Sequence, residues 1–326
     1  MTQTRRIRIC ILAALALTGA AFAVSLLVGK YPIQWDQLTA GGMDARVFFT
    51  LRLPRSCMAL LAGLALGAAG SVYQTVFRNP LASPDIIGVA SGATVGAAAA
   101  ILLFGSGVLL TALFAFAGGM AAVLLVLAMA AASRRRDMLG IVLAGIAVNA
   151  LAQAVLMLLK LTADPERQLA AIEFWTMGSF ADITLEKFLG VLPFAAAGLA
   201  GLALLRRQIL LLALGDDEAR MLGVRLESTR RLVLLLATLV TGAVVSMTGL
   251  ISFIGLLAPH IARLLAKSSR FSVTVLAALC GSTLLLAADI LARSLGSSEV
   301  PVSIVTSLLG APFLFWLLCR KEEQDG

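Results

Sequence analysis

From Ile9 to Gly29 the chain carries no charge, and apolar stretches of this kind recur to its end. A helix of roughly 20 apolar residues crosses the hydrocarbon core of a bilayer, and inside it every backbone donor and acceptor must be satisfied within the segment. The uninterrupted apolar runs give ten spans, at about 7–29, 56–77, 88–104, 108–131, 138–160, 187–205, 231–249, 250–266, 271–291 and 301–319. The third and eighth are short and rich in glycine or proline, so bent or tilted helices are expected there. Strands do not fit, because barrel strands alternate over about ten residues and these runs do not. Only 13% of the 326 residues are charged, against about 25% in soluble domains. The sequence therefore predicts an all-α, polytopic membrane protein with one transmembrane domain over residues 1–326.

The second span is packed with small residues: Gly63, Ala65, Gly67, Ala68, Ala69 and Gly70. Small side chains let helix backbones approach closely, and close packing drives association where lipid removes the hydrophobic incentive.

The net charge of +8 would suggest nucleic acid in a soluble protein. Here it is read as orientation, with no nucleic-acid partner and with lipid as the surroundings. An even number of spans leaves both ends on one side. More than two-thirds of the Lys and Arg residues fall on that side, while acidic residues divide evenly. The positive-inside rule then puts both termini in the cytoplasm, anchored most strongly by Arg134–Arg136 and by Arg206 and Arg207. Arg5, Arg6 and Arg8 before an apolar run, with Ala21-Phe22-Ala23 later, have the look of a cleavable signal. The run is longer than the roughly 7–15 residues of a signal core, so a retained first helix is expected. Cys10, Cys57, Cys280 and Cys319 form no CxxC pair and read as apolar fillers. No metal site is expected.

Polar groups inside spans are costly and therefore informative. Asn149 and Gln153 lie one turn apart, and Lys160 continues their face. The face either makes hydrogen bonds between helices or lines a watery passage. His260, the only histidine, has no neighbours at ligand spacing and reads as structural. Asp289 and Arg293 are spaced for an i,i+4 pair. The loop Gly215–Glu227, GDDEARMLGVRLE, is charged and helix-compatible. Ala219, Leu222 and Leu226 follow helical spacing, and Asp216, Asp217 and Glu218 suit a helix N-terminus. It is either a solvated connector or a surface helix that docks into a partner. The sequence has no GxxxxGK[ST], GxSxG or HExxH motif. If ATP drives this protein, another subunit must hydrolyse it.

Four segments carry a resemblance. They are LRLPR at 51–55 with LLAGLALGAAGSVYQ at 60–74, RNPLASPDIIGVASGA at 78–93, LALGDDEARMLGV at 212–224 with GLISFIGLLAPHIAR at 249–263, and EVPVSIVTSLLGAPFLFWLL at 299–318. Together they resemble the FecCD/BtuC-like permeases of iron-siderophore, haem and vitamin B12 ABC importers. The resemblance implies a type II ABC importer permease fold in the bacterial inner membrane. It implies pairing with a second permease, identical or homologous, with two ABC ATPase subunits that use ATP and Mg, and with a periplasmic substrate-binding protein. No cofactor is expected on this chain, and it is not expected to be an enzyme.

In the family the region matching about 213–228 forms the coupling helices that seat in the ATPase. That would give Gly215, Asp216, Asp217, Glu218, Ala219, Arg220, Leu222 and Gly223 the coupling role. The resemblance also makes Arg52, Arg55 and Arg293 outer-face docking groups for the binding protein. It puts Met138 and Leu139 near the inner gate, and favours Asn149 and Gln153 as pathway residues. It implies an inverted repeat of helices two to five against seven to ten. Ser303 stands where the family usually has glycine, and modest repacking is expected there. The implied cargo is a ferric-siderophore chelate, with haem and then cobalamin as alternatives. An ion-coupled secondary transporter is disfavoured because Asp289 is the one acidic residue placed within a span. A membrane enzyme is disfavoured because no catalytic set is clustered.

Overall fold

The computed structural model describes residues 3–34, 38, 42–105, 107–133, 138–267, 271–295 and 299–325. Within these residues the chain is helical, with no strand. The helices are α1 (Gln3–Leu27), α2 (Met43–Arg46), α3 (Leu53–Val76), α4 (Val89–Phe104), α5 (Val108–Ala132), α6 (Met138–Thr162), α7 (Ala170–Thr176), α8 (Leu185–Leu204), α9 (Arg206–Leu212), α10 (Asp216–Met221), α11 (Leu226–Thr248), α12 (Ile254–Ala266), α13 (Ser272–Ser294) and α14 (Val302–Asp325). A π-helical turn, Val47–Arg52, joins α2 to α3, and another, Pro165–Leu169, leads into α7. Among the described residues seven helices are long and apolar enough to cross a membrane, and Val89–Phe104, Ile254–Ala266 and Val302–Trp316 are shorter apolar helices. Together they are the ten expected runs. The expected short third and eighth spans are α4, of 16 residues, and α12, of 13.

Three stretches read as connections are also helical: Met43–Arg52, Pro165–Thr176 and α9. Their apolar residues are too few for a span. The basic anchors Arg134–Arg136 lie outside the described residues.

Helix α3 is the central post. Its glycine stripe lies against the backbones of two neighbours. A Cβ on Gly63 would sit 2.3 Å from Ser282 Cα, one on Gly67 would sit 2.3 Å from the Ala277 carbonyl oxygen, and one on Gly70 would sit 1.8 Å from the Gly255 carbonyl oxygen. Only a hydrogen fits at such separations. The same device joins α4 to α5, where Gly96 faces the Phe114 carbonyl. Polar groups inside the bundle pair across helices, as in Tyr73 Oη with Thr238 Oγ1 at 3.0 Å and Ser71 Oγ with Thr274 Oγ1 at 3.0 Å.

Helix α1 packs along α13 and α3. Thr18 Oγ1 lies 2.8 Å from Thr283 Oγ1, and Ser25 Oγ lies 2.7 Å from Ser56 Oγ. Ser303 Oγ donates to Ser252 Oγ at 3.1 Å. The serine thus ties the start of α14 to the turn before α12, a contact that glycine could not make.

Two ends of the bundle can be told apart. At one, Arg6 Nε donates to the Leu265 carbonyl at 2.9 Å and Gln3 to Lys267, which brings the start of α1 to the end of α12. Helices α9 and α10 lie at this end. At the other, the end of α1 meets the start of α3 and the end of α13, and Glu299, ahead of α14, pairs with Arg55 of α3. A long helix, an irregular turn and a short helix occur twice, as α3–α4 and as α11–α12. Gly88 (φ 82°) precedes the first short helix and Phe253 (φ 67°) the second.

Candidate functional site

The segment from Gly215 to Arg225 folds as a helix of six residues with a defined stop. The first turn of α10 holds Asp216, Asp217 and Glu218, where carboxylates favour the exposed amides and the positive end of the helix. Glu218 Oε2 accepts from the Gly215 amide at 3.4 Å. At the other end Gly223 takes φ 81°. Its amide donates to the Arg220 carbonyl at 2.9 Å, and that of Val224 to Ala219 at 3.1 Å. This is a Schellman stop, and its left-handed position needs glycine.

The side chains of α10 divide by face. Ala219 is fully buried against the body of the protein. Asp217, Glu218, Arg220 and Gly223 are exposed, as are Met221 at 86% and Leu222 at 59%. Two adjacent large apolar side chains thus protrude beside charged ones. Met221 was not singled out from the sequence; a methionine in a charged, apolar-poor loop was the available signal. A bulky residue at Ala219 would disturb the seating of α10 on the protein's own body.

Asp216 is turned inward. One of its oxygens, Oδ1, accepts from Arg78 Nη2 and from Arg230 Nη2, each at 2.6 Å. Arg78 follows the end of α3, and Arg230 is a buried residue on α11. The carboxylate therefore ties α10 to the two helices at the centre of the bundle. The hydrogen bond from Arg230 holds its carboxyl below the usual carboxylate range. A depressed value means that this contribution is present above the unfolded value, near 3.9, and is lost as pH falls through the folded value. The tie is intact at neutral pH. Replacing Asp216 with asparagine should speed hydrogen exchange of residues 213–225 at neutral pH, and Asp216→Glu should do so less. Unchanged exchange in the asparagine variant would show that the tie does not hold α10.

At the opposite end the three arginines expected on the outer surface are interior groups. Arg52, Arg55 and Arg293 are 6%, 8% and 5% exposed. Arg55 donates to Asp289 at 2.9 Å and to Glu299 at 2.8 Å. Arg293 Nε lies 3.2 Å from Asp289 Oδ2, the i,i+4 pair that the spacing suggested. Arg293 also donates to the Ser25 and Val28 carbonyls, and Arg52 to those of Leu26, Leu27 and Tyr31. Their charges are spent joining the end of α1 to α3 and α13. On its more open side Arg55 is already paired with Glu299.

Between these ends lies a cavity of ≈ 420 Å³, bounded by the starts of α4 and α12, by α3 and α11, and by Leu314 of α14. Its polar groups include Asp85, Thr241 and Ser252, and Phe253 forms part of its apolar wall. None of the four expected pathway residues lines it. Asn149 Nδ2 donates to the Asp85 carbonyl at 2.9 Å, and Ser91 donates to Asn149 Oδ1 at 2.6 Å. Asn149 thus fixes the turn before α4 from behind. Gln153 and Leu139 are exposed on α6, Met138 is half-buried, and Lys160 pairs with Glu173 at 2.7 Å.

The profile of the FecCD transport family matches residues 11–320. The ferric enterobactin transport system permease protein FepG of Escherichia coli is 38% identical, over 98% of this chain and 98% of its own. The molybdate import system permease protein MolB of Haemophilus influenzae is 37% identical, over 93% of each chain. The solved structure of a metal-chelate-type ABC transporter in an inward-facing conformation superposes with a TM-score of 0.88 at 34% identity, covering 95% of this chain and 98% of that one. With ten apolar helices among the described residues, a short protruding helix between the sixth and seventh of them, and a match that runs almost end to end, this chain belongs to the FecCD transport family of ABC importer permeases.

Proposed function

We propose that this chain is the permease subunit of an ATP-driven importer that carries a ferric-siderophore chelate across the bacterial inner membrane into the cytoplasm. The observation that carries the reading is α10: a capped helix with Met221 and Leu222 exposed, tied through Asp216 to α3 and α11. Two exposed apolar side chains ringed by charge suit a hydrophobic anchor in a partner's cleft. The tie gives motion of that partner a direct route into the bundle. The positive-inside bias supports a cytoplasmic α10 and cytoplasmic termini.

In this reading two ATPase subunits supply hydrolysis with ATP and Mg, a second permease completes the passage, and a binding protein delivers cargo to the opposite end. Gln153, polar and exposed on a membrane helix, faces the second permease or the passage. The cavity beside Asp85 and Phe253 belongs to the route. It joins the starts of two short helices in corresponding places of the two halves, the pattern that marks the binding region in other transporters. Similarity to FepG along the whole chain supports the siderophore class. Haem and cobalamin are the alternatives, and the likeness to MolB adds an oxyanion.

Vesicles holding the assembled complex should accumulate ferric siderophore only with ATP and binding protein present. Uptake driven by an ion gradient without ATP would overturn the reading, and preference for haem, cobalamin or molybdate would reassign the cargo. Met221→Asp and Leu222→Asp should each lower uptake by about tenfold or more, on the scale of a lost apolar anchor of about 2 kcal/mol. Wild-type uptake in both variants would remove α10 from the coupling role.

A further inference from the structure

We infer that the α10 end carries a binding site for one phosphate-bearing anion, in the cleft between the end of α3, helix α9 and the start of α13. The cleft has a volume of ≈ 380 Å³, within the roughly 300–1,000 Å³ range of small-molecule sites. It is separate from the cavity beside Phe253, and neither the tie at Asp216 nor the protruding face of α10 requires it to be hollow.

Its charge is of one sign. Arg78 and Arg263 line it, and among the described residues no Asp or Glu does. Arg78 shares a single carboxylate, Asp216, with Arg230, so a positive excess remains. Arg263 is half-buried, and its hydrogen bond among the described residues goes to the neutral Oε1 of Gln74. Gln74 Nε2 in turn donates to the Leu256 carbonyl at 3.3 Å, which sets which end of the amide faces the arginine. A guanidinium has five N–H donors, and among the described residues Arg263 uses one of them, on Gln74. Its remaining N–H groups are open to the cleft, where an anion can meet them.

The remaining walls fit the same chemistry. Thr75 and Asn79 offer short polar side chains, and Ile209, Leu210 and Phe271 make an apolar floor. The 23-residue α13 starts at this wall with neither an acidic residue in its first turn nor a side-chain cap, so its positive end adds to the arginines. Arginine forks match phosphate oxygens in pairs. A basic pocket between membrane helices with an apolar floor suits an anionic lipid headgroup; free phosphate shares the chemistry.

The test uses the assembled transporter, purified with its ATPase subunits. Its thermal midpoint would be followed while phosphatidylglycerol, phosphatidylcholine or inorganic phosphate is added, and retained lipid would be counted by native mass spectrometry. Phosphatidylglycerol or phosphate should raise the midpoint, and phosphatidylcholine should not. If phosphatidylglycerol alone acts and is retained, the source is lipid; if phosphate acts as well, the site takes the free anion. Arg263→Gln should weaken the effect by about tenfold, on the scale of one charge-assisted pair, and Arg263→Lys should retain part of it. Leu210→Trp, which fills the cleft and leaves the charges in place, should also weaken it. Equal binding in the Gln and Trp variants, or no binding by either anion, would overturn the site. So would binding that appears only once the ATPase is removed, because a partner's acidic side chain would then be the occupant.

Discussion

Replacing Asp289 with alanine is expected to abolish stable assembly of the protein in the membrane. Asp289 is fully buried and is the carboxylate shared by Arg55 and Arg293, themselves nearly buried. Its loss leaves Arg293 with backbone and hydroxyl acceptors only, and leaves Arg55 with the partly exposed Glu299. Removing one partner of a buried ion pair costs about 3–5 kcal/mol, whereas replacing all partners together by apolar residues of similar size can be nearly neutral. The single variant should therefore fall below the amount needed for accumulation. A triple variant, Arg55→Met with Asp289→Leu and Arg293→Met, should recover much of the loss. The measurements are the amount of protein in membranes and the thermal midpoint in detergent. A single variant as stable as wild type would show that the network does not brace this end.

Gly70→Ala should have the next largest effect. The added Cβ would lie 1.8 Å from the Gly255 carbonyl oxygen, and the obstacle is backbone that cannot rotate aside. Helix α3 or α12 would have to move, and overpacking of this kind costs about 1–3 kcal/mol, with backbone clashes at the upper end. Gly190→Ala in α8 is the control, since nothing lies within 4 Å of its Cβ position. It should change stability by less than about 1 kcal/mol, the scale of the propensity difference. Equal thermal midpoints for the two variants would mean that α3 and α12 do not need their close approach. Because Gly255 lies next to the start of α12, the clash should also distort the cavity beside Phe253.

The small-residue stripe of α3 was visible in the sequence because its use is local: six small residues within one apolar run leave little else for that helix to do. The acidic start of α10 was visible for the same reason. The role of Arg55 was not. Its principal partner, Asp289, lies 234 residues away, and no local pattern ties the two together. Asp216 was grouped with Asp217 and Glu218 as the acidic start of a helix; three adjacent carboxylates look alike until Arg78 and Arg230 claim one of them.

By itself the sequence determined the class of the protein, the number of its apolar helices and the shortness of the third and eighth, and it marked the segment after Gly215 as helix-compatible. These follow from apolar runs and capping residues that act within a few turns of themselves. Only the tertiary structure decided which charges are spent inside, that Met221 and Leu222 are what α10 presents, and that Asn149 supports a wall of the cavity. Those outcomes depend on which helices meet, and a buried charge is defined by the partner that folding brings to it.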